Sequence, residues 1–255
     1  MYRYARSYCV ISIDTVNSSQ GGSRRHTELL DGLRTAVKTA RLECPLGEHW
    51  VLRMDGDGMT IAVPPPVSKE EVLGEFPHRV DRGIRRFNAG RDEKELLRIR
   101  MAMTHGDVVV VEDDLQGGHA LVDAARIRDI APLREAMEVR PEAFVGLVLS
   151  DEVYRTAVLD GDPALIPHAY REVVAATKSY RAPAWIRLLG AELPRDGSAA
   201  DLPSGGDDRP KGGDGAASVP AEPGGDTYNT RVDTVTGPFA IGRGATARQG
   251  NPNGR

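Results

Sequence analysis

Cysteine is scarce in this chain of 255 residues: there are only Cys9 and Cys44. Neither has metal-ligand spacing. Cys9 falls in an apolar, strand-like run and Cys44 just after a helix-like one, so no structural disulfide is expected. Long apolar runs are also missing. None approaches the roughly 18 residues that span a bilayer, and no charged-then-apolar leader opens the chain, so membrane association is not expected and the cytoplasm is the expected location. Charge of one sign is not in excess either. Lys and Arg total 33 against 37 for Asp and Glu, a formal net charge of −4, with the signs mixed throughout. A nucleic-acid surface would need a basic stripe, so no nucleic-acid partner is expected. No Gly-rich loop ends in Lys-Ser or Lys-Thr, which argues against a P-loop NTPase. Internal repeats are absent. No two of His26, His105 and His119 have a ligand spacing such as i, i+4 on a helix, so a zinc site is not expected.

Two short stretches carry most of the functional information. In Val10-Ile11-Ser12-Ile13-Asp14, alternation puts Tyr8, Val10, Ser12 and Asp14 on one strand face and Cys9, Ile11 and Ile13 on the other. Asp14 then emerges at the C-terminal end of a buried strand, where open sheets place their chemistry. The second stretch, Leu52 to Val63, reads as a β-hairpin whose tip is Asp55-Gly56-Asp57-Gly58. Taken singly, both acids read first as structural: Asp14 caps the following loop, and Asp57 is turn chemistry. Taken together, they are two strand-end carboxylates able to share a divalent ion.

The remaining pattern predicts an α+β fold, a ferredoxin-like antiparallel sheet with helices packed on one face. Leu29, Leu30, Leu33 and Val37 give a helix over 24–42, with Ser23 as its N-cap and Pro45 beyond its end. Val80, Ile84 and Phe87 mark a second helix with Pro77 in its first turn, closed by Asn88-Ala89-Gly90. Leu97, Ile99, Met101 and Met103 alternate as a strand, and Val108 to Val111 is read as its hairpin partner across a Thr104-His105-Gly106-Asp107 turn. A helix over Gly118 to Asp129 runs on toward another near Pro132. Then come a strand at Phe144 to Leu149, a helix at Asp151 to Leu159 capped by Ser150, and a closing hairpin of Tyr170 to Ala175 with Ala184 to Leu188. The order β-α-β-β-α-β-β-α-β-α-β-β contains a ferredoxin-like core.

Over residues 6 to 190 the chain resembles the class III adenylate and guanylate cyclase catalytic domains. The matching features are Asp14 ending the first strand, Gly56-Asp57 in the hairpin and Thr104-His105-Gly106-Asp107-Val108-Val109. The fourth is Gly118-His119-Ala120-Leu121-Val122-Asp123-Ala124-Ala125-Arg126, against a Gly-x-x-Val-Asn-x-Ala-x-Arg pattern. The resemblance implies a nucleotidyl cyclase. The ribose 3′-hydroxyl of a nucleoside triphosphate attacks the α-phosphate, and pyrophosphate leaves. It implies Mg²⁺ or Mn²⁺ held by Asp14 and Asp57, since hard carboxylate oxygens suit such ions. It also implies backbone from Thr15 to Ser18 against the triphosphate, and Arg126 and Lys178 on phosphate oxygens at the transition state. A homodimer is implied too, because the family builds each site from the acids of one subunit and the arginine helix of the other.

Three positions depart from the family pattern. A gapless count from Arg126 puts Val122 where the family has a ribose-orienting Asn, and an aliphatic side chain cannot make that hydrogen bond. The base-reading position, four residues before Asp57, holds Arg53, a donor only, suited to carbonyl acceptors on pyrimidines or guanine. Its partner position falls near Leu115, beside Asp113 and Asp114. Asp55 lies outside the pattern and reads as a turn residue. The alternative to an active cyclase is therefore a degenerate cyclase-like module that binds a nucleotide or a partner protein without turnover.

The domain boundaries follow from composition. Residues 1–190 form the cyclase-like domain, and 191–228 a flexible linker rich in Gly, Pro and Asp. Residues 229–255 regain short alternating apolar positions, read either as a disordered terminus or as a β-forming motif that recruits a protein partner.

Overall fold

The structure, a computed structural model, describes residues 5–17, 22–177 and 180–194. Eight strands form one sheet: β1 (Ala5–Thr15), β2 (Val51–Asp55), β3 (Gly58–Val63), β4 (Ile99–Val111), β5 (Asp114–Gly117), β6 (Val145–Ser150), β7 (Arg171–Thr177) and β8 (Tyr180–Leu189). The spatial order is β2-β3-β1-β4-β6-β8-β7, with β5 paired to β4. β1 is central and runs antiparallel to both β3 and β4, so the first four strands form the ferredoxin-like core read from the sequence. β4 and β6 are parallel, which requires a crossover between them. Helices α3 (His119–Arg128) and α4 (Ala131–Val139) supply it.

Helices cover both faces of the sheet rather than one. Ile11, Ile13, Met101, Met103, Leu147 and Leu149 are buried with the apolar faces of α1 (Gly22–Leu42) and α2 (Lys69–Asn88). The alternate positions are apolar too: Val10 packs with α3, and Ala102 and Val148 pack with α4. The central strands therefore read as nearly continuous apolar runs, the pattern of strands buried on both sides.

Three local expectations are corrected. Ser23 lies inside the first turn of α1, which begins at Gly22. The helix α2 starts well before Pro77, which sits buried in its interior. Its start is set by a capping box, with Ser68 Oγ accepting from Glu71 N at 3.2 Å and Glu71 Oε2 accepting from Ser68 N at 3.0 Å. Thr104 to Asp107 is no turn but the middle of β4, held extended by eleven rungs of pairing with β1, from Ala5↔Val109 to Thr15↔Ile99. The chain reverses instead at Glu112 and Asp113, where φ is +50° and +61°, as a tight two-residue hairpin requires.

Ser150 caps α5 (Asp151–Val153) as expected, and the helix continues in π form over Tyr154–Leu159. Cys9 and Cys44 are free and buried. Nearly all of the linker and the whole C-terminal segment of 229–255 lie outside the described residues.

Candidate functional site

Asp14 stands one residue from the end of β1, flanked on its rung by Gly58 of β3 and Arg100 of β4. Gly58 has a steric role, because a Cβ there would lie 2.1 Å from the Ile13 carbonyl oxygen. Only glycine lets the hairpin close this tightly against β1. Gly56 takes φ +62° while Asp57 keeps a negative φ, the type II′ pattern that fits the sheet twist. Together these features set Asp57 beside the rung of Asp14. Thr15 fixes the contact, its Oγ1 donating to the Asp57 carbonyl at 3.1 Å. The residues Asp14 and Asp57 thus lie at the same end of the β1–β3 pair.

Asp14 is already engaged electrostatically. It is only 6 % exposed. Arg100 donates to it through both arms of its fork, Nε to Oδ1 at 3.1 Å and Nη2 to Oδ2 at 2.7 Å. Arg128, at the end of α3, brings Nε to 3.5 Å from Oδ2 and donates from Nη1 to Ser12 Oγ at 2.8 Å. Burial pushes the Asp14 carboxyl above the ordinary carboxylate range, against the opposing pull of Arg100 and Arg128. Asp129 extends the network outward by accepting from Arg100 at 2.5 Å and Arg134 at 3.2 Å.

The other expected site residues divide. Arg53 donates from Nη1 to the Leu115 carbonyl of β5 at 2.9 Å and from Nε to Asp55 at 2.9 Å. Asp55 is a clamp, accepting from Thr60 Oγ1 at 2.5 Å as well. Arg126 does not join Asp14. It pairs with Asp123 at 3.3 Å and lies 5.7 Å from the centre of the Tyr180 ring, on the side of α3 where Val122 is exposed. Lys178 lies outside the described residues.

Sequence reasoning missed Arg100 and Arg128. Arg100 had a signal, a guanidinium interrupting the apolar run of Ile99, Met101, Ala102 and Met103. Arg128 had only its spacing. Two residues beyond Arg126, it points about 200° around the helix and so reaches the sheet.

No family model matches the sequence, and no curated protein matches it. Solved structures do. An adenylate/guanylate cyclase/hydrolase from Silicibacter pomeroyi superposes with a TM-score of 0.51 at 15% identity, covering 76% of this chain and 99% of its own. The chain has the fold of an adenylate/guanylate cyclase catalytic domain. The guanylyl cyclase Cya2 aligns at 14% identity over 77% of this chain and 97% of its own, TM-score 0.49. The guanylate cyclase domain of RhGC from Catenaria anguillulae in complex with GTP aligns at 14% identity over 76% and 100%, TM-score 0.46.

Of the two carboxylates the sequence offered to a metal, Asp14 is paired with Arg100 and Arg128. No cluster of three or more His, Cys, Asp or Glu side chains able to hold an ion occurs among the described residues. Two carboxylates suit Mg²⁺, which is commonly held by one or two carboxylates with water and substrate phosphates completing the shell. No helix among the described residues is long and apolar enough to cross a membrane.

Proposed function

We propose that this domain is a metal-dependent nucleotidyl cyclase that converts a nucleoside triphosphate to a 3′,5′-cyclic nucleotide and pyrophosphate for signalling. One observation carries the reading. The β1–β3 register, with Asp14 opposite Gly58 and Thr15 tied to the Asp57 backbone, supports it by bringing these two residues to one end of the sheet. When bound there, Mg²⁺ or Mn²⁺ would lower the pKa of the ribose 3′-hydroxyl and offset charge on the triphosphate.

The chain's own residues do the rest. Asp14 and Asp57 would hold the ions, and the chain that follows Thr15 would lie against the triphosphate. Arg53, anchored on Leu115, presents donors toward the base. Arg126, turned away from its own Asp14, suits a site completed by a second copy, with its fork and Lys178 stabilising charge on the α-phosphate as pyrophosphate leaves. The chain would act as a homodimer, with residues 229–255 available to a protein partner.

Incubating the purified protein with each of the four nucleoside triphosphates and Mn²⁺ or Mg²⁺, then detecting cyclic nucleotide by mass spectrometry, tests this reading. Asp57→Ala should abolish turnover without altering the far-UV spectrum or melting temperature. Undiminished turnover in that variant would overturn the metal role.

Two observations favour a second reading, nucleotide binding without turnover. Val122 is 46% exposed where the ribose would need a polar partner, and both oxygens of Asp14 are held by Arg100. Nucleotide binding without a cyclic product from any of the four triphosphates would establish it.

A further inference from the structure

The carboxylate offered to a metal at Asp14 is matched by guanidinium on two sides. Arg100 uses two nitrogens on its two oxygens, at 3.1 and 2.7 Å. Arg128 stands 3.5 Å from Oδ2. Arg128 is held in place by other bonds, from Nη1 to Ser12 Oγ at 2.8 Å and to the Ile13 carbonyl at 3.4 Å. Its Nε is buried without a hydrogen-bond partner of normal geometry. Arg128 is thus a fixed, partly satisfied guanidinium beside the acid, supplied by a helix rather than by the strand that carries Arg100. A divalent ion on Asp14 would take the oxygens both guanidiniums now face. Asp129 remains to Arg100, but the locus would then gather two guanidiniums and a divalent cation in a little-solvated space. That arrangement is strongly disfavoured unless a multivalent anion arrives with the ion.

We propose that Arg128, with Arg100, is a built-in counter-ion of Asp14, which a divalent cation displaces only as a polyphosphate takes over the guanidinium forks. The inference rests on the metal site proposed above and concerns how that site fills. Free metal binds weakly, the bare polyphosphate binds weakly, and each strengthens the other by the same factor. Arg128 is here a positioning residue. It sets the order of binding and keeps Asp14 paired when the site is empty of substrate.

The test is made on the full chain with Mn²⁺ followed by electron paramagnetic resonance. Replacing the guanidinium in Arg128→Gln removes one charge-assisted contact, so Mn²⁺ alone should bind on the order of tenfold more tightly than to the unaltered protein. Arg128→Lys, which keeps the charge, should stay near the unaltered value. Equal or weaker Mn²⁺ binding by Arg128→Gln overturns the counter-ion role while leaving the metal site standing.

Should Arg128→Gln fail to fold, the unaltered protein decides. The arginine Nε–H nuclear magnetic resonance signals of Arg100 and Arg128 should stay put with Mg²⁺ alone and shift when inorganic triphosphate is added with Mg²⁺. A full shift with Mg²⁺ alone, or none with both, overturns the proposal. If no protein binds Mn²⁺ with or without inorganic triphosphate, and Asp57→Ala behaves identically, the metal reading itself falls, and this inference with it.

Discussion

Arg100 and Asp14 face each other on a single rung of the β4–β1 ladder, and the guanidinium grips both carboxylate oxygens at 3.1 and 2.7 Å. The side chains are only 15% and 9% exposed, so the pair is little screened by solvent. An arginine fork matches a carboxylate in a way a lysine cannot. The pair stabilises little relative to an apolar pair of equal volume, yet it is costly to break, because removing one partner strands the other charge.

Arg100→Ala should therefore destabilise the domain by about 2–3 kcal/mol, less than a fully orphaned buried acid would cost because Arg128 remains beside Asp14. Asp14→Ala with Arg100→Ala should cost less than the two single losses summed. A double-mutant cycle by urea unfolding measures this, and additive losses would show that the two groups are uncoupled.

Arg126 points to Asp123 and Tyr180 rather than to Asp14. If it serves a second copy, Asp57→Ala and Arg126→Ala proteins, each inactive, should regain activity when mixed. Random exchange makes half of the dimers mixed, each with one complete site of two, so recovery should reach about a quarter of the unaltered activity. No recovery despite demonstrated subunit exchange would place Arg126 outside the site.

The α2 start depends on a reciprocal pair, Ser68 with Glu71. Ser68→Ala should cost about 1 kcal/mol and lower the melting temperature by about 3 °C in a domain of this size. Ser68→Asp should restore most of the loss. A neutral Ser68→Ala would mean that packing alone fixes the helix start.

Burial raises the Tyr170 phenol above its ordinary value, only partly offset by Arg187, whose guanidinium sits 5.4 Å from the ring centre. The sign follows from linkage. The unfolded phenol ionises first, near pH 10, so stability is full below that pH and falls as pH rises toward the higher folded value. Tyr170→Phe should be nearly neutral at pH 7 and should shrink the alkaline loss, read as the difference in urea midpoint between pH 8 and pH 10.5. An undiminished alkaline loss would assign it elsewhere, Tyr154 and Tyr180 being raised by burial as well.

Features that depend on neighbours along the chain were legible in the residue pattern. Period-two alternation brought Asp14 out at a strand end, and the Asp-Gly-Asp-Gly run made a hairpin with Asp57 at its tip. The Ser68-x-x-Glu71 signature was equally legible, but Pro77, read as a helix start, drew the boundary inward. Which charge sits opposite Asp14 is a matter of long-range packing. Arg100 is 86 residues away, and its place on that rung follows from a strand register summed over eleven pairs. The same long pairing overrode the local turn signal at Thr104 to Asp107. It also left the second face of the sheet apolar, so α3 docked there and carried Arg128 to the acid while Arg126 turned outward. Local pattern fixes an element and its faces. Which distant residue meets a given face depends on the net free energy of packing the whole sheet, and no short stretch of the chain records that.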